Sequence, residues 1–325
     1  MIGRLDAAKT PPGRTTLAHP LDETLARELE SLAADAARGA GELLRGYFGG
    51  PIQVDYKDEK KERDPVTQAD KEAQEYLRET ILGRFPDHEV LGEEDAERDE
   101  VPSSDFLWVL DPLDGTTNFL NGLPVYAVSV GVLHRGAPAA AALFLPWPGE
   151  ASGRVLHARR GGGAWDGDAP MVPSPQDGPR PNRLTGLPGS FGGAFRVRRP
   201  LRGKLGEPRV TGSIAYELGM AATGVFQYVL LGAPKLWDVA AGVLVVAESG
   251  GAVLVGPSGA GPWRPLETLG PSWDGGRPSL KALRGWSRPI IAGRPEVAPF
   301  VAANLMRWRS WRGRLRRLLA ALKRP

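Results

Sequence analysis

The chain has 325 residues, of which 42% are hydrophobic and 24% are charged, with a formal net charge of +3. Such a composition is typical of a globular protein with one large or two medium domains. Cysteine is absent and the four histidines are scattered, which excludes disulfide bonds and argues against a zinc site.

Local apolar periodicity predicts a series of helices and strands. After a loose arm over residues 1–21, apolar side chains recur every three or four positions, which predicts a helix from about Asp22 to Tyr47. The elements predicted after it are a strand at 52–56, a helix opened by DPVTQAD (64–70) and ending near residue 85, a strand before Asp111, strands at 126–133 and 139–145, loops over 146–200, a helix at 213–223, a strand at 226–231, a helix at 237–248, a strand at 252–255, loops over 257–285, a strand at 289–292 and a helix at 295–304. This order has no regular βαβ rhythm, and it favours an α+β class.

The positive charge is concentrated at the end of the chain. Residues 307–325 contain eight Lys or Arg and no acid, whereas the rest of the chain contains 33 basic and 38 acidic residues. We therefore expect no nucleic-acid partner for the body of the protein. The absence of cysteine and of an apolar leader agrees with a cytoplasmic location, which we expect.

Acidic side chains stand at turns or helix starts in four separate segments. They are Asp70, Glu93 with Glu94, Asp111 with Asp114, and Asp238. Oxygen ligands without His or Cys suit a hard cation, Mg²⁺ or Mn²⁺. Asp70 or Asp238 taken singly is more often a helix cap than a ligand. A pair of carboxylates behind an apolar strand is harder to explain in that way.

The pair belongs to the segment LDPLDGTTNF, which follows an apolar stretch. The proline between Asp111 and Asp114 fixes the backbone, so both carboxylates can face one point from a tight turn, and the Leu113 carbonyl can add an oxygen ligand. Gly115 and Thr116 then offer backbone amides at an expected helix start, where a phosphate is favoured. These are the components of metal-assisted phosphoryl transfer to water.

On these motifs the sequence resembles the inositol monophosphatase family of Mg²⁺-dependent, lithium-sensitive phosphatases. The matching segments, in the order of the family, are DPVTQAD (64–70), FPDHEVLGEE (85–94), WVLDPLDGTTNF (108–119) and WDVAAGVLVVAESGG (237–251), with weaker matches at 158–165, 211–218 and 289–293.

The resemblance implies an α-β-α-β-α layered sandwich of the inositol monophosphatase and fructose bisphosphatase type. It implies an N-terminal α+β domain (22–150) with most metal ligands and a C-terminal α/β domain (151–306) that completes the site, followed by the basic tail (307–325). It also implies a homodimer that hydrolyses a small phosphomonoester, such as inositol monophosphate or a related sugar phosphate.

The resemblance further implies a set of metal ligands. Glu93, Asp111 and the Leu113 carbonyl would hold a first Mg²⁺. Asp111, Asp114 and Asp238 would hold a second, and Glu93 with water would support a weaker third ion. Mn²⁺ is an alternative to Mg²⁺.

The catalytic and substrate contacts follow from the same resemblance. Asp70, Glu93 and Thr116 are the expected catalytic residues, with Thr116 and Asp70 orienting and deprotonating the attacking water. The expected substrate contacts are Asp114, Gly115, Thr116, Ser213, Leu231 and Lys235. Lys57 corresponds to the family's mobile-loop lysine, although Lys60 or Lys61 could serve instead because KDEKKER (57–63) is longer than usual.

One position argues against selectivity for inositol. Inositol-selective members carry Glu seven residues before the equivalent of Asp238, where this chain has Leu231, and Ile214 occupies another position expected to face the substrate ring. An apolar side chain cannot pair a sugar hydroxyl, and each unpaired hydroxyl costs roughly 1–3 kcal/mol. Phosphoadenosine phosphate, fructose bisphosphate and histidinol phosphate therefore stay open as substrates.

Two alternatives concern binding rather than catalysis. In the tail, Trp308, Trp311 and four leucines share one helical face, which fits either an anchor for a membrane surface or acidic partner, or a terminal helix packed on the protein. A regulatory binding protein on the same fold is the alternative to an enzyme.

Overall fold

The computed structural model describes residues 21–58, 63–172, 176–257, 261–273 and 275–307. In this part of the chain the helices are Glu23–Tyr47 (α1), Gln68–Arg84 (α2), Thr116–Leu120 (α3), Phe191–Ala194 (α4), Ile214–Ala222 (α5), Leu236–Val239 (α6), Gly242–Glu248 (α7), Leu280–Arg284 (α8) and Val297–Asn304 (α9), with a 3₁₀ turn at Arg199–Leu201.

The strands form two large sheets and two antiparallel two-stranded pairs. They are Val54–Asp58 (β1), Arg63–Thr67 (β2), Glu89–Gly92 (β3), Phe106–Asp114 (β4), Ala127–His134 (β5), Ala137–Trp147 (β6), Glu150–Arg159 (β7), Gly163–Asp166 (β8), Ala169–Pro170 (β9), Leu184–Gly186 (β10), Phe195–Val197 (β11), Glu207–Arg209 (β12), Phe226–Leu231 (β13), Ala252–Val255 (β14), Arg264–Pro265 (β15), Ile290–Gly293 (β16) and Leu305–Arg307 (β17). One large sheet has the order β3-β4-β5-β6-β7-β8-β9 and the other β12-β10-β13-β16-β14-β15, while β1 pairs with β2 and β11 with β17.

Side-chain alternation along β4 explains how the layers are stacked. Trp108 and Leu110 pack into a core with α1 and α2, whereas Leu107 and Val109 on the other face pack into a core with α5 and α7. Because successive strand residues point to opposite faces, an uninterrupted apolar run is what a sheet covered on both sides requires.

The second large sheet is covered on both faces in the same way. Val229 and Leu231 of β13 face the core with α5 to α7, and Tyr228 and Leu230 face α9 in a third core. The layers are therefore α1/α2, the seven-stranded sheet, α5 to α7, the six-stranded sheet and α9. The expected α-β-α-β-α sandwich of α+β class is confirmed.

The first helix agrees with its prediction because its local signals are strong. Asp22 caps it by accepting from the Leu25 amide at 3.0 Å, and the buried face consists of Leu and Ala residues apart from Glu30 and Gly41. The strands at 226–231 and 252–255 also lie at their predicted residues.

Other predicted elements were wrong. Residues 64–67 belong to β2 rather than to a helix, because they pair with β1. Residues 146–200, expected as loops, contain β7 to β11, and the helix expected at 237–248 is interrupted between α6 and α7. The division into domains at residue 150 stays a prediction, and β7, a strand of the seven-stranded sheet, begins at that residue. No helix of the described residues is long and apolar enough to cross a membrane.

Candidate active site

A β-bulge places Asp111 and Asp114 on one face of β4. Asp111 pairs with Ser129 and Asp114 with Ala127, so β4 has one residue more than β5 over this interval. Residues three apart on a regular strand point to opposite faces of the sheet. Residues paired directly across two strands share a face, and Ala127 and Ser129, which are two apart on β5, point to the same face. Their partners Asp114 and Asp111 therefore also share that face. The prediction that the strand ends before a tight turn was therefore wrong. β4 continues to Asp114, and the bulge turns the two carboxylates to the same side.

The Asp114 carboxylate is held by the first turn of α5. Its Oδ2 accepts from the Ser213 hydroxyl at 2.8 Å and from the Ala215 amide at 2.5 Å. Ser213 is the N-cap of α5, and its Oγ also accepts from the Tyr216 amide at 3.2 Å. A buried helix start with free amides favours an anion, so α5 compensates part of the cost of burying Asp114.

Asp238 enters the same region from α6. Its Oδ2 accepts from the Lys235 amide at 2.7 Å, as in a capping arrangement. The Ser129 hydroxyl donates to the Trp237 carbonyl at 3.1 Å and so ties α6 to β5. A Cβ at Gly131 would lie 2.7 Å from the carbonyl carbon of Ala240, and only glycine permits α6 to approach the strand this closely.

The charge of Glu93 contributes to the raised pKa values of these carboxylates. Burial raises the pKa of Asp111 and of Asp114 well above the usual range, and neighbouring carboxylates add to the effect. For Asp238, burial and the charge of Glu93 outweigh the hydrogen bond from Lys235 and raise the pKa to about 7. Asp111, Asp114 and Asp238, whose charged forms are destabilised by burial and by neighbouring carboxylates, make a site that a divalent cation would stabilise.

The donor set fits a hard divalent cation. Its carboxylates are Glu93, Asp111, Asp114 and Asp238, with the Leu113 carbonyl next to them, and all donor atoms are oxygen. Among the described residues, no group of three or more His, Asp or Glu side chains is arranged so that it could hold a metal ion as it stands. The fit of a divalent cation rests instead on the all-oxygen donors and on the repulsion between the neighbouring carboxylates.

Asp70 and Thr116 meet beside this cluster. Thr116 Oγ1 lies 3.2 Å from Asp70 Oδ1 and 3.1 Å from the Leu113 carbonyl oxygen. Thr67 holds the other oxygen of Asp70 through its amide at 2.9 Å and its hydroxyl at 2.5 Å. Burial raises the pKa of Asp70 despite these hydrogen bonds, and the charge of Glu93 contributes in the same direction.

Gly115 links the bulged strand to α3. It adopts φ +99°, and a Cβ there would lie 3.0 Å from the Val125 carbonyl oxygen and 3.1 Å from Ser213 Cβ. The left-handed conformation and the close approach both require glycine. α3 then begins at Thr116, so the predicted amide donors of Gly115 and Thr116 lie at a helix start.

Glu93 lies at the edge of an open cleft of about 680 Å³. Its amide donates to the Leu110 carbonyl at 3.0 Å, which keeps the residue beside the bulged strand. The cleft is also lined by Lys235, Trp237 and Arg284. Sequence reasoning missed Arg284, because it lies in a segment predicted as loop and belongs to none of the motifs.

Other predicted site residues lie in different surroundings. Leu231 is 3% exposed, pairs with Ile290 and packs in the core between the sheets. Ser213 contacts Asp114, and exposed Lys235 lies at the cleft. Lys57 lies in β1, but its side chain is outside the described part of the structure.

The remaining loop lysines and the tail cannot be placed. Lys60 and Lys61 fall outside the described residues, as does the basic tail beyond residue 307. The roles expected for the loop lysines and for the tail stay predictions.

Comparison with known proteins agrees with the fold and the motifs. The sequence matches the profile of the inositol monophosphatase family over residues 25–271. A fructose-1,6-bisphosphatase/inositol-1-monophosphatase of Aquifex aeolicus is 33% identical over 234 residues, which cover 70% of this chain and 86% of that protein. Nus factor SuhB of Escherichia coli is 34% identical over 228 residues, which cover 69% and 83% of the two chains.

Solved structures give the same result. The extragenic suppressor protein suhB from Bartonella henselae matches with a TM-score of 0.62 and 27% identity, covering 83% of this chain and 95% of that one. An IMPase from Thermotoga maritima has the same fold, with a TM-score of 0.61, 23% identity and coverage of 82% and 92%. The chain belongs to the inositol monophosphatase family.

Proposed function

We propose that the protein is a Mg²⁺-dependent phosphomonoesterase that hydrolyses a small phosphorylated metabolite by attack of water on phosphorus. The observation that carries this proposal is the juxtaposition of four neighbouring carboxylates, Glu93, Asp111, Asp114 and Asp238, with the Asp70–Thr116 pair. If these acidic residues were only helix caps, the bulge that turns Asp111 and Asp114 to one side would have no explanation. Membership in a family of phosphatases agrees with the proposal.

The carboxylates would hold the cations. Glu93, Asp111 and the Leu113 carbonyl form one proposed site, and Asp111, Asp114 and Asp238 form a second, with Mg²⁺ or Mn²⁺ as the ion and a weaker third at Glu93. When bound, the ions supply Lewis-acid polarisation of the phosphoryl group and stabilisation of the leaving alkoxide. The amide of Ala215 and the hydroxyl of Ser213 keep Asp114 oriented during this process.

Thr116 and Asp70 would position the attacking water. The Thr116 hydroxyl has two acceptors within 3.2 Å, Asp70 and the Leu113 carbonyl, but a single proton to donate. Its oxygen is then available to accept from a water, while the carboxylate of Asp70 receives a proton through the threonine. The raised pKa of Asp70 makes it a better proton acceptor than an ordinary aspartate.

The substrate would present its phosphate to the amides of Gly115 and Thr116. At the position where inositol-selective members carry Glu, this chain has Leu231, which is buried in the core and offers no carboxylate for ring hydroxyls. A sugar phosphate other than inositol monophosphate therefore fits this chain better, with Lys235 available at the cleft for a second anionic group. Phosphoadenosine phosphate, fructose bisphosphate and histidinol phosphate are the alternatives.

A phosphate-release screen over small phosphomonoesters, with and without Mg²⁺ and lithium, tests the proposal. We expect Mg²⁺-dependent release that is lost in Asp111→Asn and kept in Asp168→Asn, an exposed carboxylate on the β8–β9 turn. Release of no phosphate by the wild-type protein from any of these compounds would refute the proposal. Lithium sensitivity and a homodimer stay predictions from the family resemblance, and a cytoplasmic location stays a prediction from the sequence.

A regulatory binding role is the second candidate. The relative from E. coli is named Nus factor SuhB, which is a name for a factor rather than for an enzyme. An Asp111→Asn protein that retains its full cellular function would favour this role over catalysis.

A further inference from the structure

We propose that Arg284 is a positioning residue that fixes the Glu93 backbone and the start of α6 relative to each other. The inference rests on the proposed function, because its consequence is the affinity of the carboxylate cluster for a divalent cation. Arg284 is the last residue of α8, a helix that lies beyond residue 271, where the family match ends.

The guanidinium of Arg284 contacts the loop that carries Glu93. Nη1 donates to the Gly92 carbonyl at 2.7 Å and Nη2 donates to the Glu93 carbonyl at 2.8 Å. Two parallel donors of one planar group fix the orientation of two successive peptide units. The direction of the Glu93 side chain depends on these units.

The same guanidinium also contacts the other half of the site. Its Cζ lies 4.9 Å from the centroid of the Trp237 ring, which is 8% exposed. Asp238 is the next residue along α6. Arg284 therefore joins the backbone of one proposed ligand to the neighbour of another, and these ligands come from different halves of the chain.

Other contacts run from α8 and the residues before it along the same loop. Arg277 pairs with Asp105 at 2.8 Å, the Leu280 amide donates to the Glu100 carbonyl at 2.8 Å, and Lys281 pairs with Glu97 at 2.9 Å. Together with the bonds from Arg284 to residues 92 and 93, these contacts place α8 along this loop, and the exposed Lys281–Glu97 pair contributes least to holding it.

From the opposite side, Gln74 of α2 accepts from the Glu94 amide at 3.0 Å. The turn after β3 is thus held between α2 and α8. The position of Glu93 therefore depends on three elements that are distant in sequence, α2, β4 and α8.

A positioning role and a simple charge effect predict opposite results. Arg284 is a cation near four carboxylates, and its removal by charge alone would strengthen the binding of a divalent cation. If it positions Glu93 instead, its removal weakens that binding, because a ligand loses its orientation.

Calorimetric titration of the full-length protein with Mn²⁺ separates the two effects. We expect Arg284→Gln to weaken Mn²⁺ binding about 10-fold, the lower end of the cost of losing a supporting contact to a metal ligand. Arg284→Lys keeps the charge but cannot donate to both carbonyls in the same way, and it should also weaken binding. Lys281→Gln, which removes a cation from the same helix and cleft, should leave the affinity within about twofold because it touches neither Glu93 nor Trp237.

Amide hydrogen exchange provides a second readout that does not require the metal. Exchange at residues 92–95 should be faster in Arg284→Gln than in the wild type or in Lys281→Gln. Should Arg284→Gln fail to fold, Arg284→Lys is judged by the same two measurements. Unchanged or tighter Mn²⁺ binding in the folded Arg284 variants, with wild-type exchange, would overturn the inference and leave the proposed function standing. A wild-type protein that binds neither Mn²⁺ nor Mg²⁺ would overturn both.

Discussion

The hydroxyl of Ser213 donates to Asp114 at 2.8 Å and thereby joins the helix start of α5 to the bulge of β4. The same oxygen caps α5 by accepting from the Tyr216 amide. One hydroxyl therefore stabilises both a helix and the charged form of a buried carboxylate.

Replacement of Ser213 by alanine should lower the free energy of unfolding by about 2–3 kcal/mol, the sum of a lost cap and a lost hydrogen bond to a charged group. The measurement is urea unfolding at neutral pH. Ser279→Ala is the matched control, because Ser279 also caps a helix, α8, but contacts no carboxylate. Equal losses in the two variants would show that the bond to Asp114 contributes nothing.

Replacement of Thr116 by valine should reduce kcat by about 10²-fold or more, because the hydroxyl that links Asp70 to the attacking water is absent while the side-chain shape is kept. Thr116→Ser should retain most of the activity. The measurement is phosphate release at saturating Mg²⁺ with the best substrate from the screen. A Thr116→Val protein with near wild-type kcat would contradict the role of the Asp70–Thr116 pair.

The cation should change the stability of the wild-type protein and not that of Asp111→Asn. Without Mg²⁺, Asp111→Asn should be more stable by on the order of 1 kcal/mol, since a buried carboxylate that repels its neighbours is removed. With millimolar Mg²⁺, the wild type should gain in Tm by linkage and the variant should gain little. Thermal unfolding with and without Mg²⁺ measures both effects, and equal Mg²⁺ shifts in the two proteins would argue against Asp111 as a ligand.

His157 should stabilise the protein most at acidic pH. Its Nδ1 lies 2.8 Å from Glu30 Oε1 and its Nε2 lies 2.9 Å from the Gly167 carbonyl, so both nitrogens must carry protons. Burial lowers the pKa of His157, but the hydrogen bonds and the charge of Glu30 outweigh burial and raise it above 6.5. The folded state then binds the proton more tightly, and the stabilisation is complete below pH 6.5 and lost as the pH rises through the folded pKa. The difference in unfolding free energy between wild type and His157→Gln should shrink from mildly acidic to alkaline pH.

His88 should show the opposite dependence. Its Nδ1 accepts from Trp108 Nε1 at 3.0 Å, and the ring stacks between Phe85 and Phe106, which favours the neutral form. Burial lowers the pKa of His88 below 6.5, so the unfolded state binds a proton first. Its stabilisation is present above pH 6.5 and is lost as the pH falls towards the folded pKa. The advantage of wild type over His88→Gln should therefore grow with pH, and a trend of the same sign for both variants would contradict one assignment.

The acidic segments and the α+β class could be predicted from the sequence because they depend on local signals, whereas the order of the five layers was implied by the family resemblance. The capped helix at Asp22 and the uninterrupted apolar run of β4 are predictable from neighbouring residues alone. The bulge between Asp111 and Asp114 is not, since it is defined by a register against β5. Arg284 was missed for a similar reason: its partners at residues 92 and 93 are nearly two hundred positions away, and no helix was expected around it.

Because Gly131 has no Cβ, α6 with Asp238 can lie close to β5, and this sets the distance between Asp238 and the carboxylates of β4. Any side chain at this position would meet the backbone of residues 240 and 241 at less than 3 Å. Substitution by alanine would have to move α6 outward, and Asp238 with it, without altering a single proposed ligand. Engineering of this protein for other substrates can vary the cleft residues other than Glu93, Trp237 and Arg284, but position 131 leaves no room for a side chain.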